Sequence, residues 1–254
     1  KLMLVGDPQQ LKPVILLDEL TNRKLRRKYH VADEYDYREN SIYKTYLACD
    51  AVSDEILLRN HYRCNKKIID FNNKKYYNSK LQVQSDSRER QPLVYVNVDG
   101  GPGDMKNTSP AEVEEIMRYA GENPDKSIAV ITPFVNQRIL IERGIKENGF
   151  EHVVCGTVHA FQGDEKDVVL FSTALSDRTG KGTYDWLKNN KELINVATSR
   201  AKDKLILLAD GKELERLHQG NEDDDLYELV QYVKMNGESK ITEKHISSRA
   251  LGIQ

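Results

Sequence analysis

Two arginines stand where the chain passes from one secondary-structure element to the next, and each could bind a phosphate group. Arg63 ends the segment 58–63, which precedes a basic stretch, and Arg200 lies in the segment 194–202 ahead of an apolar run. A guanidinium is planar and always charged, so it can bind phosphate oxygens through paired hydrogen bonds. Taken alone, Arg63 would usually be a structural residue paired with a carboxylate, and Arg200 would be a cation that interacts with the C-terminal end of a helix dipole.

Tyr62 and Gln10 could assist such chemistry. The ring of Tyr62, next to Arg63, could stack on an adenine, although a core position would also explain it. Gln10 lies in the segment 6–14 (GDPQQLKPV), which turns sharply at Gly and Pro. An amide donates and accepts at once, so Gln10 could hydrogen-bond a terminal phosphate or an attacking water. A β-turn whose glutamines face solvent explains the segment equally well.

A polar turn with Thr132 and Pro133 links an apolar run to a helical pattern in the segment 131–137 (ITPFVNQ). The first turn of a helix offers free backbone N–H groups to a phosphate. Most turns between a strand and a helix bind nothing, however, so this segment is weak support for a binding site when it is considered alone.

The segment 156–169 (GTVHAFQGDEKDVV) is less easily explained by packing. Thr157 and His159 could contact a nucleic-acid backbone, and Glu165 could accept hydrogen bonds from ribose hydroxyls. A single histidine is more often structural than functional. The segment therefore indicates a binding loop without identifying its ligand.

Short apolar runs rich in Val, Ile and Leu predict buried strands at 2–5, 93–98, 128–132, 153–155, 168–173 and 205–209. Helical patterns lie between several of them, and the clearest begins with Ser109 as N-cap, Pro110 next and Glu112 at the capping-box position. Alternating strands and helices favour an α/β fold with a parallel sheet. In such folds the loops at the carboxyl ends of the strands form the working edge, where we expect all of these segments to lie.

The five segments occur in an order that resembles motifs III, IV, V and VI of superfamily 1 helicases, with the additional Thr-Pro turn between IV and V. Within that superfamily, VHAFQGDEKDVV and NVATSRAK are most similar to the 5′-to-3′ branch typified by the RNA-surveillance helicase of nonsense-mediated decay. The resemblance covers residues 1–14 and 56–210, and a set of motifs is far more specific than any one of them.

The resemblance implies a RecA-like second lobe, preceded by the tail end of a first lobe, with ATP and Mg²⁺ in the cleft between lobes and a single strand of DNA or RNA crossing both. Gln10 is then the γ-phosphate sensor, and Arg63 and Arg200 are arginine fingers. The other implied sites are Tyr62, Gly163 and Glu165 for the nucleotide, and Thr132, Pro133, Thr157 and His159 for the nucleic acid.

The sequence departs from a complete motor because it has no G-x-x-x-x-G-K-[ST] loop to cradle phosphates. We therefore expect ATP and Mg²⁺ to be held mainly by an upstream lobe, and the isolated chain to be inactive. One alternative is a helicase-like module that binds nucleic acid or protein without catalysis. Another is the related recombination-nuclease helicase subunit. The presence of Gln10, Arg63, Glu165 and Arg200 together favours a motor lobe.

The expected organisation is a first-lobe remnant and connector at 1–50, the second lobe at 51–215, and a linker with the start of a further segment at 216–254. The 38 Lys and Arg nearly balance the 40 Asp and Glu, so a nucleic-acid surface must be a local patch. The three cysteines form no C-x-x-C pair, and no apolar run is long enough to cross a membrane. We expect a cytoplasmic protein, or a nuclear one in a eukaryote.

Overall fold

The computed structural model describes residues 3–10, 15–47, 56–99, 101, 104–161 and 164–242. The chain divides into two compact units, residues 1–59 and 60–254. The smaller unit contains helices α1 (Glu19–Tyr29) and α2 (Ile42–Leu47). Helix α1 begins at its N-cap Asp18, whose carboxylate accepts a hydrogen bond from the backbone N–H of Thr21.

The strand expected at 2–5 does not form in the part of it that the structure describes. Met3 and Val5 are exposed and lie in irregular backbone. An apolar run becomes a strand only when a neighbouring strand satisfies its backbone N–H and C=O groups, and no strand pairs with these residues in the described part of the chain. The prediction of a strand here was therefore wrong.

The larger unit alternates helices with strands, as the sequence predicts. Its elements in chain order are β1 (Asn60–His61), α3 (Lys66–Tyr76), β2 (Gln82–Val83), β3 (Leu93–Asn97), α4 (Pro110–Glu122), β4 (Ile128–Ile131), α5 (Val135–Asn148), β5 (Val153–Gly156), β6 (Lys166–Ser172), α6 (Lys181–Lys188), α7 (Lys191–Ser199), β7 (Ala201–Ala209), α8 (Gly211–His218), α9 (Asp225–Asn236) and β8 (Glu238–Ile241). A short 3-10 helix, Val158–Phe161, lies between β5 and β6.

Six of these strands form one sheet in the order β5-β4-β6-β7-β3-β8, and every neighbouring pair is parallel. The central strands are buried on both faces, as expected for a parallel sheet covered by helices. All four residues of β4 are fully buried. The predicted α/β fold with a parallel sheet is confirmed, and so are five of the six predicted strands, within about two residues at most ends.

The boundaries of the units differ from those expected from the sequence. The division falls after Arg59 rather than after residue 50. At the other end, α9 and β8 continue the larger unit instead of starting another segment, because β8 pairs with β3 over the register Val94↔Glu238 to Asn97↔Ile241. Composition changes after residue 210, but pairing with β3 decides where these residues belong.

Gly237 allows β8 to approach β3, and we expect its replacement by Ala to destabilise the fold. A Cβ atom at Gly237 would lie 2.6 Å from the Leu93 Cβ and closer still to the Leu93 backbone oxygen, so the strand would have to shift. We expect Gly237→Ala to lower the free energy of unfolding by about 2 kcal/mol in urea titrations. Gly182→Ala is the control, because a Cβ there meets nothing within 4 Å and should stabilise α6 slightly. Equal effects of the two changes would contradict this explanation.

Candidate functional site

The candidate residues lie at two opposite edges of the sheet, not at one. Strands β6 and β7 begin side by side, with Lys166 opposite Ala201, so Glu165 and Arg200 meet at the amino edge. Arg63 joins them there through hydrogen bonds. Thr132, by contrast, follows the carboxyl end of β4. The expectation that all the segments share the carboxyl edge was therefore wrong for Arg63, Glu165 and Arg200.

Arg63 and Glu165 form an ion pair at the amino edge. The Arg63 Nε lies 2.6 Å from the Glu165 Oε2, and the Arg63 Nη1 donates to the backbone oxygen of Ser199 at 3.4 Å. Both side chains are partly exposed, so each can exchange its partner for a ligand without unfolding the lobe. The carboxylate that was expected to bind a ribose is thus held by the arginine that was expected to bind a phosphate.

Arg200 is the largest fully buried side chain in the described part of the chain, with only 2% of its surface exposed. It follows the last residue of α7, and its guanidinium donates to the backbone oxygen of Asp164 at 3.3 Å and to the Ser199 Oγ at 3.4 Å. Burial, and then the positive charge of Arg63, lower the pKa of Arg200. Two guanidinium groups therefore lie close enough to repel each other.

The loop that carries Arg63 is fixed to the junction between α7 and β7. The backbone N–H of Asn65 donates to the Lys202 oxygen at 2.7 Å, and the Cys64 Sγ donates to the Ser199 oxygen at 3.3 Å. Burial raises the pKa of the Cys64 thiol to about 12, so this cysteine packs and does not react. These contacts place Arg63 beside Arg200 although 136 residues separate Arg63 from Ser199 in the sequence.

Tyr62 and Gln10 have different surroundings. The Tyr62 side chain is 68% exposed, which rules out a core position and leaves its ring available for stacking. Gln10 belongs to the smaller unit, where its side-chain nitrogen donates to the Asp7 Oδ2 at 2.8 Å. The Asp7 Oδ1 accepts from the backbone N–H of Gln9 at 2.9 Å. The predicted sharp turn is thus formed, and Asp7 holds it together.

At the carboxyl edge, the Thr132 side chain is completely buried, so it is not placed to contact a strand of nucleic acid. Its backbone N–H donates to the Gly156 oxygen at 3.2 Å, and its Oγ1 accepts from the Phe134 N–H at 3.5 Å. Thr132 therefore shapes the turn, and Pro133 after it is half-buried.

Three candidates lie in the segment that connects β5 to β6. Thr157 is half-buried and precedes the 3-10 helix, and its backbone oxygen accepts from the Ala160 N–H at 2.9 Å. His159 belongs to that helix, but its side chain is outside the described part of the structure, and Gly163 is outside the described residues altogether. The segment begins at the carboxyl edge and ends at the amino edge, so it joins the two candidate sites.

A buried polar network at the carboxyl edge was missed by the sequence reasoning. The Ser172 Oγ donates to the Glu112 Oε2 at 2.5 Å and accepts from the Gln137 Nε2 at 3.0 Å. The backbone N–H of Ala174 also donates to Glu112, at 3.0 Å. Ser109 caps α4 as predicted, but its own N–H donates to Gln137 and not to Glu112, so the capping box is incomplete. In the sequence, a capping box was a sufficient explanation of Glu112. Its buried hydrogen bonds to Ser172 and Ala174 were therefore not predicted.

Among the described residues, no group of three or more His, Cys, Asp or Glu side chains could hold a metal ion. A search of the same residues finds no helix with the length and apolar character needed to cross a membrane.

His61 should report on the charge of the two arginines. Burial, followed by the charges of Arg63 and Arg200, lowers the pKa of His61 to about 4, and its Nε2 accepts from the Cys64 N–H at 3.0 Å. The His61 ring gains its proton at a higher pH in the unfolded chain than in the folded chain. The free energy of unfolding should therefore fall as the pH drops from about 6.5 towards 4. An NMR titration should show a pKa near 4 that rises when pyrophosphate offsets the arginine charges. A His61 pKa near 6.5 that does not change when pyrophosphate is added would contradict this account of the site.

Glu112 should make stability depend on pH in the opposite sense. Burial raises its pKa to about 8, so the folded chain keeps the carboxyl neutral where the unfolded chain has ionised it. The stability contribution is complete below about pH 4.5 and is lost as the pH rises through 8. In urea titrations, the advantage of wild type over Glu112→Gln should shrink across this range. A difference that stays constant with pH would show that Glu112 is ionised throughout.

A family model for an AAA domain, AAA_12, matches residues 38–212. The mouse 3'-5' exoribonuclease HELZ2 is 27% identical over 83% of this chain and 8% of its own length. The mouse RNA helicase Mov10l1 is 27% identical, with 85% of this chain and 21% of that protein covered. An uncharacterized ATP-dependent helicase of Methanocaldococcus jannaschii is also 27% identical, with 96% and 37% covered. The chain thus spans well under half the length of these relatives.

Among solved structures, the C-terminal domain of a possible DNA helicase from Lactobacillus plantarum has a TM-score of 0.43 and 18% identity, and the match covers 72% of this chain and 99% of that domain. The family match takes in more than half of the chain and includes Arg63, Glu165 and Arg200. The chain therefore belongs to the AAA_12 family of AAA domains, within the superfamily 1 helicases that its five segments resemble.

Proposed function

We propose that this chain is the C-terminal motor lobe of an ATP-dependent DNA or RNA helicase or translocase, and that Arg63 and Arg200 are its arginine fingers. One observation carries the proposal. The fold brings Arg63, Glu165 and Arg200 to one place at the amino ends of β6 and β7, from three separate segments of the sequence.

The electrostatics of this edge favour a polyanion. Burial first, and then the charge of Arg63, lower the pKa of Arg200. The second contribution means that the two positive charges destabilise each other in the absence of a ligand. A triphosphate placed beside them removes that repulsion, and a guanidinium stabilises the charge that develops on the transferred phosphoryl group. A lobe that only binds a strand has no need to hold two arginines in this way, and this supports the motor over the binding module.

The ion pair between Arg63 and Glu165 must open for this chemistry. Arg63 then turns to the phosphates, while Glu165 becomes free to accept from the ribose hydroxyls. The exposed Tyr62 ring lies next to Arg63 in the sequence and offers a face for the base. Arg200 is buried and donates to the Asp164 backbone oxygen, so in this proposal it reaches a phosphate only after this contact opens. Hydrolysis thereby depends on a rearrangement of the lobe.

The family resemblance implies the roles of Gln10 and Gly163, and a separate lobe holds most of the nucleotide. Gln10 senses the γ-phosphate, and Gly163 with Glu165 completes the nucleotide side. ATP and Mg²⁺ are held mainly by a lobe with a phosphate-binding loop, which these 254 residues do not contain. When Mg²⁺ is bound, it would neutralise part of the phosphate charge.

The nucleic-acid side lies at the opposite edge of the sheet. Pro133, Thr157 and His159 contact the backbone of a single strand in this proposal, and such contacts are sensitive to salt and tolerant of sequence. The segment that contains Thr157 and His159 ends at Glu165, so in this proposal it is the covalent link between the nucleotide edge and the nucleic acid. ATP turnover and strand movement are coupled through this segment.

The test is ATP hydrolysis by the protein in which this chain is joined to a phosphate-loop lobe, with and without single-stranded DNA or RNA. We expect Arg200→Ala and Arg63→Ala to reduce stimulated turnover roughly 10³-fold or more, because each removes a charge that acts on the transferred phosphoryl group. The isolated chain should show no turnover. Arg118→Ala is the matched control, because Arg118 lies partly exposed on α4 and pairs only with Glu115 and Glu122 among the described residues.

Thermal unfolding of each variant separates catalysis from folding, which matters for the buried Arg200. If folded Arg200→Ala and Arg63→Ala keep wild-type turnover, neither residue is an arginine finger. Steady turnover by the isolated chain would contradict its expected inactivity. If the joined protein binds single strands but never hydrolyses ATP, the chain is a binding module.

A further inference from the structure

Trp186, the only tryptophan of the chain, presents half of its surface to solvent at the carboxyl edge. It lies on α6, where its neighbours Tyr184 and Leu187 are fully buried, and its own side chain is 48% exposed. The Tyr184 hydroxyl donates to the Asp224 Oδ2 at 2.7 Å, which ties α6 to the N-terminal end of α9. The helix is therefore fixed, and the indole ring is held outward on a rigid support.

The indole lies beside the Thr-Pro turn. Its ring centroid is 6.1 Å from that of Phe134, with an angle of 44° between the two planes. Phe134 is buried and immediately follows Pro133 at the carboxyl end of β4. One side of the indole thus rests on the turn that the sequence assigned to the nucleic acid. Thr132 in that turn is buried, so Trp186 is better placed than Thr132 to meet a strand.

The surroundings leave the indole open. Side chains on a helix lean towards its N-terminus, so the residues three and four positions earlier lie on the same face as Trp186. Three positions earlier is the small Thr183. Four positions earlier is Gly182, and a Cβ built there meets nothing within 4 Å. A single exposed apolar side chain is ordinary on a protein surface. An indole that is half exposed, with a glycine four positions earlier on its helix, also offers a flat face to a ligand.

Two exposed lysines lie on α6 and on the segment before α4, and Asp185, which precedes the tryptophan, pairs with Lys188 at 3.0 Å. Lys181 is exposed in the first turn of α6, and Lys106 is exposed in a segment whose backbone oxygen accepts from the Asn136 side chain at 2.9 Å, in the first turn of α5. Neither lysine forms an ion pair with another described residue. A flat aromatic face with unpaired cations on the adjoining elements matches an unpaired nucleobase followed by phosphates.

We propose that Trp186 stacks on one unpaired base of the bound single strand. The inference rests on the proposed function, because it assumes that the strand crosses this edge of the sheet. It adds a contact to a base, whereas the contacts proposed above are to the backbone. Every base has a flat face, so the contact grips the strand without selecting its sequence.

The single tryptophan makes the test direct. We would titrate this chain with oligothymidylate and with an abasic oligomer of the same length, following intrinsic tryptophan emission and the anisotropy of labelled oligomers. Oligothymidylate should quench Trp186, because stacking brings a base against the indole, and the abasic oligomer should bind through its phosphates with little quenching.

Three variants separate stacking from packing. Trp186→Leu keeps an apolar side chain against Phe134 but removes the flat face, and it should weaken oligothymidylate binding roughly 10-fold while leaving abasic binding unchanged. Trp186→Phe keeps a smaller ring and should lose less. Trp186→Ala removes both the packing and the face, so any additional loss measures packing. Thermal unfolding confirms that each variant is folded.

If wild type binds oligothymidylate with unchanged emission, and Trp186→Leu binds equally well, the inference is overturned while the proposed function stands. Equal losses for both oligomers in Trp186→Leu would also overturn it, because the effect would not depend on a base. Emission that changes with chain concentration but not with oligomer would assign the ring to a contact between copies. If wild type binds neither oligomer, the proposed single-strand role itself fails.

Discussion

The parallel pairing of β6 with β7 is the interaction on which the candidate site depends. Because Lys166 lies opposite Ala201, the residues just before these strands are brought side by side, and the Lys166 N–H donates to the Arg200 oxygen at 3.2 Å. The pairing is irregular between Lys166 and Val168. From Val168 in β6 and Leu205 in β7 onwards the paired strands are buried and apolar, so the core of the lobe holds their register there. Packing of the sheet thus offsets the unfavourable free energy of burying Arg200 close to a second positive charge. An isolated loop could not hold that arrangement.

The segment between β5 and β6 depends on close packing at its start. A Cβ atom at Gly156 would lie 2.9 Å from the ring of Phe161 and 3.0 Å from the Cβ of Ala160, so only glycine lets the 3-10 helix fold back onto the end of β5. Phe161 is itself buried. The segment therefore leaves the carboxyl edge in one fixed direction. The described start of the segment, up to Phe161, is thereby fixed against the end of β5.

The sequence predicts the elements of this lobe better than their arrangement. Apolar runs and the Ser109 cap identify strands and α4 because those signals are local. The meeting of Glu165 with Arg200 depends on the pairing of two strands that begin 35 residues apart, which no local pattern reveals. Likewise Glu112 fits a capping box in the sequence, but its partner Ser172 is 60 residues away. The strand predicted at 2–5 is wrong for the opposite reason. Its apolar pattern is local, but no strand pairs with it among the described residues.

The two edges of the lobe differ in how readily they can change. At the carboxyl edge, Glu112, Gln137 and Ser172 are fully buried and joined by hydrogen bonds, and Thr132 is bonded to Gly156 across the ends of β4 and β5. Breaking any of these leaves a buried polar group unsatisfied, so this edge behaves as one rigid body. At the amino edge, the ion pair of Arg63 with Glu165 is partly exposed and can be exchanged at little cost. The proposed function uses this asymmetry, because the edge that we assign to the nucleotide has to change partners in each cycle, while the edge that we assign to the nucleic acid keeps its shape.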